Sequence, residues 1–158
     1  MTAVEDVVRV HGTALVVGEA GVLLRGPSGS GKSSLALALL AEASRRGVYN
    51  ALVADDRVAI LARGGRLIAR CVPGFEGKIE RRGIGLVTAP WEKAAVMVRV
   101  FDLSTLGEAP DRMPEREGQH DEILGVRLPR NYVSGLCGLS ERVTIIGEMV
   151  GIWGARLV

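Results

Sequence analysis

The sequence predicts an α/β domain in which antiparallel hairpins are added to a sheet that carries a glycine loop and a helix. Three observations support this fold class. The glycine-rich residues 26–33 lie between a short apolar run and a stretch rich in Ala and Leu. Two pairs of apolar runs flank glycine-containing turns, which is typical of β-hairpins. The chain has 158 residues, 47% hydrophobic and 24% charged, so a single domain over residues 1–158 is the simplest organisation.

The first elements are a hairpin and a helix. Residues 13–17 and 21–25 are apolar runs separated by a glycine turn, which predicts the hairpin. Residues 33–46 are rich in Ala and Leu, which favour helices. Arginines in the last turn suit the helix dipole, and Gly47 can end the helix in a left-handed conformation.

The rest of the chain is predicted to be mostly strands. An apolar strand over residues 51–54 is expected to end at Asp55 and Asp56, and a second hairpin turns at Gly64-Gly65. Central and closing elements follow in order: a long strand over 94–103, a polar loop over 111–122, a short strand over 126–128, and a final element over 140–155. Val, Thr and Ile in that final element leave helix and strand both open.

Composition limits the functions to consider. The net charge of +2 is too small to indicate nucleic acid or a membrane surface as a partner. The apolar residues 35–43 are far fewer than the roughly 20 that a membrane span needs. The chain has two cysteines and no signal-peptide pattern at its start, so we expect a reduced, soluble, cytoplasmic protein.

The glycine loop matches the pattern G-x-x-x-x-G-K-[ST], between an apolar strand and a helix. Its residues are Gly26, Pro27, Ser28, Gly29, Ser30, Gly31, Lys32 and Ser33. Backbone N–H groups of such a loop surround phosphate oxygens, and the following helix adds its positive end. We therefore predict a P-loop that binds a nucleoside triphosphate, with Lys32 on the β- and γ-phosphates and the Ser33 hydroxyl on Mg²⁺. A chance glycine turn before a helix is the alternative.

The paired aspartates are the candidate acid groups. Phosphoryl transfer needs a carboxylate near the metal and a group that orients or deprotonates the attacking hydroxyl. Asp55 and Asp56 follow a buried-looking strand, where ligand groups of open α/β sheets are found. Neighbouring strand residues point to opposite faces, so the two are expected to have different roles. The alternative is that they cap a turn.

These features together resemble a known family. His11-Gly12, the glycine loop, residues 52–58 and the segment Glu80-Arg81-Arg82-Gly83-Ile84-Gly85 are similar, in this order, to the catalytic domain of HPr kinase/phosphorylase. The resemblance implies a phosphoenolpyruvate-carboxykinase-like P-loop fold and the use of ATP and Mg²⁺. It implies that a serine of the phosphocarrier HPr, or of its nitrogen-system homologue, is phosphorylated, and that phosphorolysis can reverse the reaction.

The resemblance also implies a role for individual residues. His11, Lys32 and Asp55 correspond to catalytic positions, with Asp55 as the proton acceptor, and Ser33 and Glu80 correspond to magnesium ligands. Arg112 corresponds to a catalytic arginine. Supporting positions are Asp56, Arg82, Gly83, Gly85 and Arg130, the last in a segment that resembles a loop linked to dephosphorylation.

The chain resembles the short alphaproteobacterial form of the family, which lacks a separate N-terminal domain. Ser34 stands where many members have Glu, and Arg81 stands where an aliphatic residue is common. We expect the chain to lack the longer C-terminal tail of the family. The oligomeric state is therefore left open. A P-loop kinase of a small molecule and a non-catalytic nucleotide sensor are the two alternative functions.

Overall fold

The computed structural model describes residues 5–108 and 119–153, which form nine strands and two helices. The strands are β1 (Val8–Val17), β2 (Ala20–Arg25), β3 (Asn50–Arg63), β4 (Arg66–Cys71), β5 (Lys78–Arg81), β6 (Gly85–Thr88), β7 (Ala94–Leu103), β8 (His120–Ile123) and β9 (Val126–Val133). The helices are α1 (Lys32–Arg45) and α2 (Leu139–Met149). The predicted α/β class is confirmed, and the sheet is mixed.

Five strands close into a ring. Their pairing order is β2-β1-β3-β4-β7, and β7 then pairs in parallel with β2. The long strand β7 makes this possible because its early residues pair with β4, whereas its later residues pair in parallel with β9 on the same edge. The β5–β6 hairpin forms a separate two-stranded sheet.

Alternating side chains of the ring divide between two hydrophobic cores. On β1, Ala14 and Val16 belong to one core, whereas Leu15 and Val17 belong to the other. The second core also contains buried residues of both helices, such as Leu35 and Ile146, so it lies between the ring and the helices. Because strand side chains alternate in direction, the first core fills the interior of the ring.

Most of the predicted elements are confirmed. The first hairpin is β1–β2, with Val17 opposite Ala20, and the second is β3–β4, with Arg63 opposite Arg66 across the two glycines. The helix that follows the glycine loop begins and ends one residue earlier than predicted. The final element is a helix, which resolves the choice between helix and strand.

Three predictions are wrong in detail. The strand expected to end at the paired aspartates continues as β3 to Arg63, because β1 pairs with it as far as Ile60 and β4 pairs with it from Val58 to Arg63. Residues 120–122, predicted as loop, lie in β8, which pairs with β9 across a tight turn. The strand predicted over 126–128 is longer, extending through Arg130 to Val133, because it pairs with β7 as well as β8. The rest of the predicted polar loop, including Arg112, lies outside the described residues.

No helix in the described ranges is long and apolar enough to span a lipid bilayer.

Candidate functional site

A cavity of about 560 Å³ lies where the start of α1, the middle of β3 and the β5–β6 hairpin meet. Its lining includes most of the predicted site residues. These are His11, Ser28, Gly29, Gly31, Lys32, Ser33, Asp55, Asp56, Glu80 and Arg82. The structure thus brings together residues from four separate segments of the sequence.

The glycine loop joins β2 to α1, which is the strand–loop–helix context predicted for it. Gly26 has φ 155°, and a Cβ there would lie 2.5 Å from the Leu103 carbonyl oxygen, so the position requires glycine. Gly31 begins the helix with φ 84°, in the left-handed region. Lys32, Ser33 and Ser34 follow as the first helical residues, whose backbone N–H groups have no partner within the helix.

Lys32 is turned back onto the loop. Its ammonium group donates hydrogen bonds to the carbonyl oxygens of Gly26, at 2.8 Å, and Pro27, at 3.1 Å. Burial lowers the pKa of Lys32, and the nearby Asp55 and Asp56 oppose that shift. The lysine therefore occupies the mouth of the loop as a partly desolvated cation, a suitable group for contacting an anion.

Asp55 links the loop to the sheet. Its carboxylate accepts hydrogen bonds from the Ser33 hydroxyl at 2.8 Å and from the buried Thr13 hydroxyl at 2.8 Å. The backbone N–H of Glu80 donates to its other oxygen at 3.3 Å. Thr13 lies opposite Asp55 in the β1–β3 register, which explains why their side chains meet. Asp55 is thereby fixed between three elements and faces the cavity.

Asp56 has a different partner. It has φ 67°, a left-handed conformation that is uncommon outside glycine, and this interrupts the regular alternation of β3. Its carboxylate lies 2.9 Å from Nε2 of His11, and both side chains are more than half exposed. The two aspartates therefore contact different groups, yet both line the same cavity. That they have different roles stays a prediction.

The β5–β6 hairpin covers one side of the cavity. Ile79 is buried against the helices, so its neighbour Glu80 projects to the opposite, cavity side. The turn between the strands contains Arg82, and Gly83 with φ 81° precedes Gly85 with φ 104°. The two glycines are therefore placed to shape the turn that presents Arg82.

The donor set suits a magnesium ion bound together with a phosphate. The Ser33 hydroxyl and the Asp55 and Glu80 carboxylates border one cavity and are hard oxygen donors. Among the described residues, no group of three His, Cys, Asp or Glu side chains is arranged to hold a metal. Mg²⁺ in kinase sites typically takes one or two carboxylates plus substrate phosphates and water, so these residues fit the ion.

Two predicted residues lie elsewhere or cannot be placed. Arg130 is part of β9, its Nε lies 3.5 Å from Asp102, and it is not among the residues that line the cavity. Arg112 lies outside the described residues. The sequence analysis did not identify Thr13, whose hydroxyl is buried. The sequence indicates it only as a polar residue in an apolar strand, two positions after His11.

The fold and the cavity define the described chain as a mixed-sheet α/β domain whose glycine loop and strand carboxylates face one another. Residues 3–134 match the family model described as HPr Serine kinase C-terminal domain. The chain belongs to this family.

Individual relatives agree with that assignment. The chain is 36% identical over 118 residues to the HPr kinase/phosphorylase of Clostridium tetani, which covers 75% of this chain and 36% of that protein. It is 39% identical over 147 residues to the HPr kinase/phosphorylase of Limosilactobacillus reuteri, covering 86% of this chain and 43% of that protein. The chain thus spans less than half the length of these two relatives.

A solved structure is also similar. The Hpr(Ser) kinase/phosphatase from Coxiella burnetii superposes with a TM-score of 0.72 at 26% identity, covering 90% of this chain and 87% of that one. The likeness extends to the fold as a whole and agrees with the resemblance drawn from the sequence motifs.

Proposed function

We propose that this chain is an ATP- and magnesium-dependent kinase that phosphorylates a serine of the phosphocarrier HPr or of its nitrogen-system homologue. The observation that carries the proposal is the double contact of Asp55. Its carboxylate binds the hydroxyl of Ser33, at the end of the glycine loop, while it faces the cavity that Lys32 also lines. A proton acceptor therefore lies beside the group expected to hold a terminal phosphate.

In this proposal the glycine loop is a P-loop in a phosphoenolpyruvate-carboxykinase-like fold. The N–H groups at the start of α1 and the Lys32 ammonium bind the phosphates of ATP. Ser33 and Glu80 hold Mg²⁺, which would neutralise charge on the phosphate oxygens. When ATP binds, the Lys32 ammonium leaves the carbonyl oxygens of Gly26 and Pro27 and contacts phosphate oxygens. Its neutral hydrogen-bond partners are thereby replaced by charged ones.

Asp55 acts as the general base. The serine hydroxyl of the carrier attacks the γ-phosphorus, the bond from that phosphorus to the β,γ-bridging oxygen breaks, and ADP leaves. The hydroxyl proton passes to Asp55, whose carboxylate faces the cavity beside Ser33. In phosphorolysis, inorganic phosphate would attack the phosphorus of phosphoserine, the bond from that phosphorus to the serine oxygen would break, and pyrophosphate would leave. The same carboxyl group would return the proton to the serine oxygen. His11 supports Asp56, and Arg82 supplies positive charge at the cavity rim.

The proposed reaction also indicates where the protein acts. A kinase of this type needs ATP and its carrier in one compartment, so we place the protein in the cytoplasm. Phosphorylation of the carrier would regulate the phosphotransferase system. The relatives are named as kinases that also act as phosphorylases or phosphatases, which supports both the kinase and the reverse reaction.

The deciding experiment is mass spectrometry of purified carriers after incubation with the chain, ATP and Mg²⁺. We expect one phosphoryl group on a serine of HPr or its homologue, and none on a carrier in which that serine is replaced by Ala. ATP consumption with an unmodified carrier and a labelled metabolite would favour a small-molecule kinase. ATP binding with no transfer to either would favour a nucleotide sensor.

A further inference from the structure

A buried arginine lies directly behind the glycine loop. Arg142 belongs to α2 and is 1% exposed, the largest fully buried side chain of the described residues. Its Nη1 donates to the Ser30 carbonyl oxygen at 2.6 Å, Nη2 donates to the Ser104 carbonyl oxygen at 3.2 Å, and Nε donates to the Ser134 carbonyl oxygen at 3.3 Å. One guanidinium therefore joins the loop to the ends of β7 and β9.

The contact with Ser30 fixes the direction of a peptide group. In a planar trans peptide the C=O and the following N–H point in opposite directions. With the Ser30 carbonyl held towards Arg142, the N–H of Gly31 points away from the guanidinium, and Gly31 is one of the residues that line the cavity. A Cβ added at Gly31 would lie 3.6 Å from Nη1 of Arg142, which shows how closely this peptide packs on the guanidinium.

Arg142 also places a positive charge in the protein interior, where burying a charge lowers stability. A guanidinium remains protonated in proteins, and burial lowers the pKa of Arg142 without making it neutral. Within residues 5–108 and 119–153 it forms no salt bridge, and its hydrogen bonds go to neutral carbonyl groups. A buried cation paired only with carbonyl dipoles raises the positive potential of its surroundings.

We infer that Arg142 is a positioning residue for the triphosphate: it turns the Gly31 N–H towards the phosphate oxygens and strengthens the positive field of the loop from behind. This inference rests on the proposed binding of a nucleotide in the glycine loop. It adds a residue beyond positions 3–134, which the family model matches. Arg142 is buried and does not line the cavity, so it acts through its contact with Ser30 of the loop.

The test compares four variants of the full chain by calorimetric titration with MgATP: three at Arg142 (Gln, Lys and Ala) and one at Val143. Arg142→Gln removes the charge and the fork of donors, and we expect the Kd for MgATP to rise about ten- to thirtyfold, the scale of one hydrogen bond to a charged group. Arg142→Lys keeps the charge but cannot hold three carbonyls, so a rise of about three- to tenfold is expected. Val143→Ala, at the neighbouring buried position of α2, is the control for general loss of helix packing.

A structural role alone and a positioning role give different results. Under the positioning role, methylguanidinium at millimolar concentration restores the affinity of Arg142→Ala, whereas neutral methylurea does not, and Val143→Ala binds MgATP as the wild type does. Unchanged affinity in folded Arg142→Gln, or an equal loss in Val143→Ala, would overturn the inference. Should Arg142→Gln fail to fold, Arg142→Lys decides the question by the same criteria.

Different experimental results would refute the role of Arg142 and the proposed kinase function. Wild-type chain that binds MgATP but leaves the carrier unmodified would remove the kinase proposal and leave the role of Arg142 testable by the titrations. Wild-type chain that does not bind MgATP would overturn both.

Discussion

Replacing Asp55 by Asn changes the proposed proton acceptor while leaving its shape almost intact. In the structure, one carboxylate oxygen accepts from Thr13 and Ser33, and the other accepts from Ser33 and the Glu80 N–H. The Asn oxygen can keep the first set of contacts. Its amide nitrogen then faces the Glu80 N–H, a donor against a donor, so that hydrogen bond is lost.

The expected magnitudes separate catalysis from folding. In the variant the Glu80 N–H has no acceptor, and the remaining hydrogen bonds to residue 55 are weaker because the carboxylate charge is gone. Together these changes should lower the free energy of unfolding by about 1–3 kcal/mol. For a domain of this size that is a fall of about 2–12 °C in Tm. Loss of general-base catalysis should lower the transfer rate about 10²- to 10⁴-fold, which raises the barrier by about 3–5 kcal/mol.

The assay is single-turnover phosphoryl transfer to the carrier at saturating MgATP, with a parallel titration of nucleotide binding and a thermal melt. We expect Asp55→Asn to bind ATP within about fivefold of the wild type, because the loop and Lys32 remain in place. Asp56→Asn is the matched comparison. It removes the charge from one exposed contact with His11, so its transfer rate should fall by less than about tenfold.

Two outcomes would refute this reasoning. Transfer by Asp55→Asn at a rate close to that of the wild type would show that Asp55 does not accept the proton. A loss of transfer that is fully explained by a loss of ATP binding would show that Asp55 acts in binding and not in the chemical step.

Three further predictions follow from particular contacts. Lys32→Met should raise the Kd for ATP about ten- to a hundredfold in calorimetric titration, since it removes a charged hydrogen-bond donor; an unchanged Kd would contradict the proposed phosphate contact. Asp102→Asn should lower the free energy of unfolding by about 1–2 kcal/mol in urea, because it weakens the bidentate pair with the part-buried Arg25 next to the loop, while Asp121 still pairs with that arginine. Hydrogen bonds from Arg45 and the arginine after it lower the pKa of Glu42 to about 2, so a titration followed by NMR should show this carboxyl still ionised at pH 3.5. Its contribution to stability should be present above the ordinary pKa of 4.5 and be lost as the pH falls towards 2; titration near 4.5 at low salt would show that the ion pairs do not form in solution.

The hairpins and the first helix could be predicted because their signals are local. Glycine turns flanked by apolar runs mark β1–β2 and β3–β4, and the Ala- and Leu-rich stretch marks α1. β8 escaped prediction because His120 and its neighbours are polar, and only pairing with β9 makes them a strand. Such pairing is not visible in a local window.

The course of β3 was missed for a related reason. A run of Asp, Asp and Arg is typical of a turn, and Asp56 does adopt a left-handed conformation. The strand continues past it because β1 supplies hydrogen-bonding partners on both sides of the irregularity. The sequence therefore identified the acidic residues of the site but not the strand geometry that separates their partners.

The two unpredicted contributors to the site share one property. Thr13 and Arg142 both have polar groups in buried positions, and each position looks ordinary in the sequence. A threonine suits any strand, and an arginine suits the surface of any helix. Their importance depends on a partner more than 40 positions away for Thr13, and more than 100 for the Arg142 contact with Ser30.

The Gly64-Gly65 turn has a practical consequence for experiments on this protein. β3 runs about seven residues from Arg57 at the cavity to this turn, which is roughly 23 Å of strand. Both glycines are exposed, and a Cβ at either one would meet no atom within 4 Å, so a side chain there would project into solvent. A dye or affinity label inserted there would report on the domain from a distance, without entering the space where the carrier and nucleotide are proposed to meet.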